Sequence, residues 1–126
     1  LCSIIYADAY AHLATLGAEI AAGSRPPFDL VIYDLSDTPL ELESQDALCE
    51  RVKAVLAPQG RIAVQCGSML PEYREQFKAH RAGLERHFRK PVYSEGVIPS
   101  FLEQPWGFAS ARLPKALSPG PASALS

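Results

Sequence analysis

Apolar positions along the chain follow two different periods. In FDLVIY, residues 28 to 33, Leu30, Val31 and Ile32 stand side by side with no polar residue between them. That is the pattern of a strand covered on both faces, as in a parallel sheet. Before it, residues 10 to 22 place Leu13, Leu16 and Ile20 at helical spacing. SIIY, residues 3 to 6, reads as a short buried strand that stops at Asp8 and Ala9. GSRPP, residues 23 to 27, separates helix from strand, because Gly ends the helix and the prolines block its continuation.

Further along, Ser44 is placed to cap a helix running to about Leu56, with Leu48, Val52, Val55 and Leu56 facing inward. APQG, residues 57 to 60, predicts a turn, RIAVQ, residues 61 to 65, a strand, and CGS a loop. Pro71 opens a helix to about Phe88 with Tyr73, Phe77, Leu84 and Phe88 as its core stripe. Residues 93 to 98 and 106 to 111 are candidate strands joined by PSFLEQP. From Pro114 the chain turns to Pro, Ala, Ser and Gly, which predicts a disordered tail over 114 to 126 after a folded part over 1 to 113.

Strands alternating with helices predict the α/β class, a doubly wound sheet that is mostly parallel and closes with an antiparallel hairpin. Such sheets bind ligands at the carboxyl ends of their strands. That end collects Asp8 and Ala9, residues 34 to 37 and residues 65 to 68 on one rim.

Composition narrows the function classes. The chain has 126 residues, 48% of them hydrophobic, and a net charge of −2, as expected of one globular domain without a long basic stripe for nucleic acid. No apolar run approaches the ~20 residues of a membrane span, and LCSIIYADAY lacks the basic start of a signal peptide. Cys2, Cys49 and Cys66 have no metal-ligand spacing and are expected as reduced, buried thiols of a cytoplasmic protein, with no metal site. Arg86, Arg89 and Lys90 are expected to be a solvated helix end. His12, His80 and His87 are expected as surface or partly buried histidines, and Trp106 and Phe108 as core.

Asp34 and Asp37 are the residues with most chemical promise. Acids at the end of a buried strand suit a protonated amine: one carboxylate holds the ammonium and takes a proton as nitrogen attacks an electrophile, while the second positions it. Equally, two Asp residues in a loop make Asx-type turns, and spacing alone favours that reading.

FDLVIYDLSD, VLAPQGRIAVQCGS and IPSFLEQPWGF, in that order and over about residues 3 to 113, resemble the second half of a polyamine aminopropyltransferase, the spermidine synthase family. The resemblance rests on the strand ending in two acids, a helix ending L-x-P-x-G, a strand leading to a Gln or Ser loop, and P-[ST]-[YF] before W-G-F, in the form of the divergent bacterial members. It implies a partial Rossmann-like, methyltransferase-type sheet. It also implies transfer of an aminopropyl group to a polyamine from decarboxylated S-adenosylmethionine, a co-substrate rather than a permanently bound cofactor. Asp34 would be base and amine anchor, Asp37 would hold the amine, and Asp8 with Ala9 would meet the adenine. Gln65, Tyr93, Glu95 and Phe101 would line the amine channel. Two departures stand out: the Gly-Pro of the family's adenine loop is replaced within DTPLELE, and Glu95 stands where many members carry a Tyr.

The family's Gly-rich loop and its ribose-binding acid have no counterpart here. We therefore expect a fragment of a larger protein, or a homo- or hetero-oligomer in which another chain supplies the nucleotide-binding half, with FDLVIY otherwise a bare apolar edge. Two other readings remain open: a methyltransferase using S-adenosylmethionine itself, and a non-catalytic member that binds polyamine or a partner chain.

Overall fold

The structure, a computed structural model, describes residues 2–34 and 45–114. Its elements are α1 (Ala9–Ala21), β1 (Phe28–Tyr33), α2 (Gln45–Val55), β2 (Leu56–Ser68), α3 (Arg74–His87), β3 (Arg89–Ile98) and β4 (Gln104–Arg112). Asp37 and Ser44 lie outside the described residues, as does the tail from residue 115.

The strands form one sheet in the order β1-β2-β4-β3. β1 and β2 are parallel, and β4 is antiparallel to both β2 and β3. β1, β2 and β3 therefore point one way, with β4 alone reversed between two of them. This is the expected α/β sheet with its closing hairpin, and β4 is the strand that returns.

All three helices lie on one face of the sheet: α1 packs on α2, α2 on α3, and α2 and α3 on the strands. Strand alternation sorts the residues accordingly. Tyr33, Ile62, Val64, Ala109 and Ala111 point into the helix layer and form the core with Leu48, Cys49, Val52, Leu84 and Phe88. Their sequence neighbours Leu30, Ile32, Arg61, Ser110 and Arg112 point the other way and are exposed.

The open face corrects the reading of β1. It is an edge strand with one face bare: Leu30 is 51% and Ile32 71% exposed. Two-sided burial needs a second helix layer, and none covers this face among the described residues. The strand expected over residues 3 to 6 is also not formed. Ile4, Ile5 and Tyr6 are exposed and join no sheet, so the segment lacks the neighbour that would make it a strand.

Local chemistry explains the remaining boundaries. Asp8 is the N-cap of α1, its Oδ1 accepting from the Ala11 N–H at 2.8 Å. APQG, expected as a turn, is instead a bulge near the start of β2, with Gln59 at φ 62° and the register to β1 shifting across it while the strand keeps its direction. A side chain at Gly60 would meet the Ala57 carbonyl at 2.8 Å, so only glycine fits there. α3 ends at His87, where Phe88 turns extended at φ −126° and ψ 162°, and Arg89 and Lys90 open β3 rather than extending a helix end. Arg86 does belong to α3 and pairs with Asp46 at 3.0 Å.

Two further expectations are corrected. Cys2 is exposed, whereas Cys49 and Cys66 are buried and all three are free. His80 is 1% exposed, filling the gap between Phe77 and Leu84 in the α3 stripe.

Candidate functional site

The rim at the carboxyl ends of β1 and β2 is built by register. Tyr33 pairs with Val64 in the parallel ladder, so the next residues, Asp34 and Gln65, emerge side by side from neighbouring strands. Asp34 is exposed. Gln65 is buried, and its Oε1 accepts two hydrogen bonds, from Trp106 Nε1 at 2.7 Å and from the Gly67 N–H at 2.9 Å. Trp106, at the start of β4, thus locks the Gln65 amide in one orientation. The 41-residue separation of that pair hides it from any local reading of the sequence.

Asp8 comes to the same end of the sheet. α1 starts above the end of β1, where the Tyr10 ring meets Tyr33 edge-on at 6.4 Å. Arg51 of α2 ties this corner: it donates to the Tyr10 carbonyl at 2.8 Å and stands over the Tyr10 ring. Asp8 is exposed and spends Oδ1 on its cap, and Ala9 is the first residue of the helix.

The structure separates the other expected residues. Glu95 is exposed on β3, opposite Gly107, which in turn pairs with Gly67. It is two strands away from Gln65. Tyr93 packs against Phe77 at 6.0 Å under the Arg81 guanidinium, and its hydroxyl donates to Glu85 at 3.5 Å. Burial, then the Glu85 charge, pushes the phenol up to about 12. Phe101 closes the short turn Pro99–Phe101 between β3 and β4. Asp37, the second acid, lies outside the described residues.

A cavity of about 340 Å³ opens beside Ser68, which sequence reasoning passed over. Met69, Leu70 and Phe77 give it an apolar wall, and Arg74, Lys78 and Arg81 of α3 give it a basic one. Lys78 and Arg81 are paired within α3 to Glu75 and Glu85. Gly107 sits behind it: a Cβ there would meet Met69 Sδ at 2.7 Å. No group of three or more His, Cys, Asp or Glu side chains that could hold a metal ion occurs among the described residues. No helix of the described residues is long and apolar enough to cross a membrane.

No family profile matches the sequence, and no curated protein is similar to it. Solved structures share its fold. Spermidine synthase from Thermotoga maritima superposes with a TM-score of 0.65 at 14% identity, covering 87% of this chain and 33% of that protein. The O-methyltransferase of Bacillus cereus, solved with SAH, gives 0.55 at 16% identity, covering 81% of this chain and 47% of that one. A putative O-methyltransferase from Klebsiella pneumoniae gives 0.51 at 16% identity, over 82% and 46%. The chain thus spans between a third and a half of each, and its fold is that of the methyltransferase-like Rossmann sheet.

Proposed function

We propose that this chain is the acceptor-side half of an S-adenosyl-type transferase domain, and that the group transferred is aminopropyl. The observation that carries the reading is the register that sets Asp34, just past the end of β1, level with Gln65 of the neighbouring parallel strand β2. An exposed carboxylate beside a fixed amide is suited to a primary ammonium: the carboxylate takes the charge and the amide sets the direction of the nitrogen. Asp34 then accepts the proton as nitrogen forms its bond to the methylene next to the sulfonium. The carbon–sulfur bond breaks, and methylthioadenosine leaves with the electron pair. Because the sulfonium is a good leaving group, the protein's task is orientation and one proton transfer. Asp37, three residues on, is the second amine contact in this reading, and Asp8 the adenine contact. The bare edge and face of β1 are where the nucleotide-binding half completes the sheet, in the same protein or from a partner chain.

Asp34→Asn in the complete protein tests it. Loss of the base lowers kcat by about 10²–10⁴-fold, with the fold intact by circular dichroism. Turnover at the wild-type rate sinks the assignment, and no turnover in the wild type favours a non-catalytic binding role.

One observation favours a second reading. Arg74, in the wall of the cavity at Ser68, suits an acceptor with acidic or hydroxyl groups better than a polyamine. That acceptor would be methylated from S-adenosylmethionine, leaving S-adenosylhomocysteine, so the nucleoside product separates the two.

A further inference from the structure

At the opposite end of the sheet, a cavity of about 460 Å³ lies between the first part of β2, the first residues of β3 and the end of β4. Arg61, Arg89, Lys90 and Arg112 line it together with Gln59 and Ser110, and among the described residues no carboxylate does. Register makes this more than a scatter of surface cations. Arg112 stands directly opposite Arg61 on one side and directly opposite Arg89 on the other. Three arginines therefore stand in one row across three adjacent strands, about 10 Å from end to end along the backbone.

Folding alone does not favour this row. Like charges directly opposite each other in a sheet are destabilising. None of the ion pairs among the described residues uses any of the four cations. Asp29, the carboxylate nearest in the ladder, flanks Leu30, the partner of Arg61, and strand alternation turns it toward the other face. The backbone is strained at the same place: Gln59 (φ 62°) and Lys90 (φ 49°) are both non-glycine residues in the left-handed region. Lys90 sits where the β3–β4 register shifts, an irregularity of the kind that re-aims a side chain. Repulsion and strain thus converge on one concave site, as expected where a ligand supplies the missing charge.

We propose that this cavity binds a compact anion with two or more linked phosphates, such as an inorganic polyphosphate or the phosphate chain of a nucleotide. Guanidinium forks grip phosphate oxygens in pairs. A single phosphate is too small to reach both outer arginines of a ~10 Å row, whereas a short phosphate chain laid along it engages all three. The site is at the far end of the sheet from Asp34, so it does not depend on the transfer reaction.

The test is calorimetric titration of the complete protein carrying this chain with inorganic tripolyphosphate, ATP, orthophosphate and a single-stranded oligonucleotide, all at one ionic strength near 0.15 M so that diffuse attraction is screened. Tripolyphosphate is expected to bind one per chain, at least tenfold tighter than orthophosphate. Arg112→Gln, at the centre of the row, weakens it at least tenfold, while Arg25→Gln, an equal loss of charge elsewhere, leaves it unchanged. Without ligand, Arg112→Gln melts at the same or a higher temperature, since two repulsive contacts are gone. Absence of saturable binding, equal affinity in Arg112→Gln, a lower melting temperature for that variant without ligand, or tighter binding of the oligonucleotide would each overturn the proposal. ATP bound more tightly than tripolyphosphate assigns the site to a nucleotide's phosphate chain, ATP bound equally or less tightly assigns it to an inorganic polyphosphate, and both sustain the proposal.

Discussion

His80 is the residue whose replacement speaks most directly to the packing of the helix layer. It is 1% exposed, and neither ring nitrogen makes a hydrogen bond to another described residue. Burial pushes its pKa down from 6.5 to about 4, so the ring is neutral in the folded state. The sign follows. Between pH 6.5 and about 4 the unfolded chain takes up a proton at this residue and the folded chain does not, so stability is lost as pH falls through that window. A shift of about 2.5 units at 1.36 kcal/mol each corresponds to about 3 kcal/mol in full. At neutral pH the unpaired buried nitrogens already cost about 1–3 kcal/mol. His80→Leu keeps the apolar volume and removes both penalties. We expect urea unfolding to show the variant about 1–3 kcal/mol more stable at pH 7.5, with the gap widening toward pH 4.5. A gap that stays constant with pH, or a variant less stable than the wild type at pH 7.5, refutes the reasoning.

Other consequences are open to simple assays. Trp106→Phe removes the 2.7 Å donor to Gln65 and leaves a buried carbonyl with one fewer bond; chemical denaturation should show a loss of about 1–2 kcal/mol, and an unchanged midpoint would mean the amide is not held by the indole. Ile32→Lys places a charge on the bare edge strand, where Ile32 is 71% exposed; light scattering should show less self-association than the wild type, and equal association would mean that β1 is not the sticky edge. Burial raises Cys66 to about 12, and burial with the Asp46 charge raises Cys49 to about 11; a thiol reagent should therefore modify Cys2 quickly, and the other two of the three cysteines only on unfolding. Rapid labelling of all three in the native state would contradict the core described above.

The legible parts of this fold are those fixed by local pattern. The helix stripes Leu48, Val52 and Val55, and Leu84 and Phe88, point inward as their spacing predicts. FDLVIY is a strand, and its position at the sheet edge follows from the lack of a neighbour. What its apolar run cannot show is whether the second layer is present; Leu30 and Ile32 are written for a cover that the described residues do not supply. That Asp34 and Gln65 share one end of the sheet follows from the strand pattern, since each lies near the carboxyl end of its strand. The Trp106–Gln65 bond does not, because it depends on how β4 returns between β2 and β3. The arginine row escaped for the same reason: Arg61, Arg89 and Arg112 are far apart in sequence and are aligned by register alone. His80 was discounted as a polar residue, although the 77-80-84 spacing places it in the stripe.

The central claim is that Asp34 and Gln65 serve aminopropyl transfer, and the nucleoside released tests it most directly. The complete protein carrying this chain is to be incubated with a diamine and either decarboxylated S-adenosylmethionine or S-adenosylmethionine, and the products separated by liquid chromatography and mass spectrometry. Methylthioadenosine from the decarboxylated co-substrate, dependent on the amine and abolished by Asp34→Asn, is the predicted result. S-adenosylhomocysteine from S-adenosylmethionine with no methylthioadenosine, or no nucleoside product from either, would contradict it.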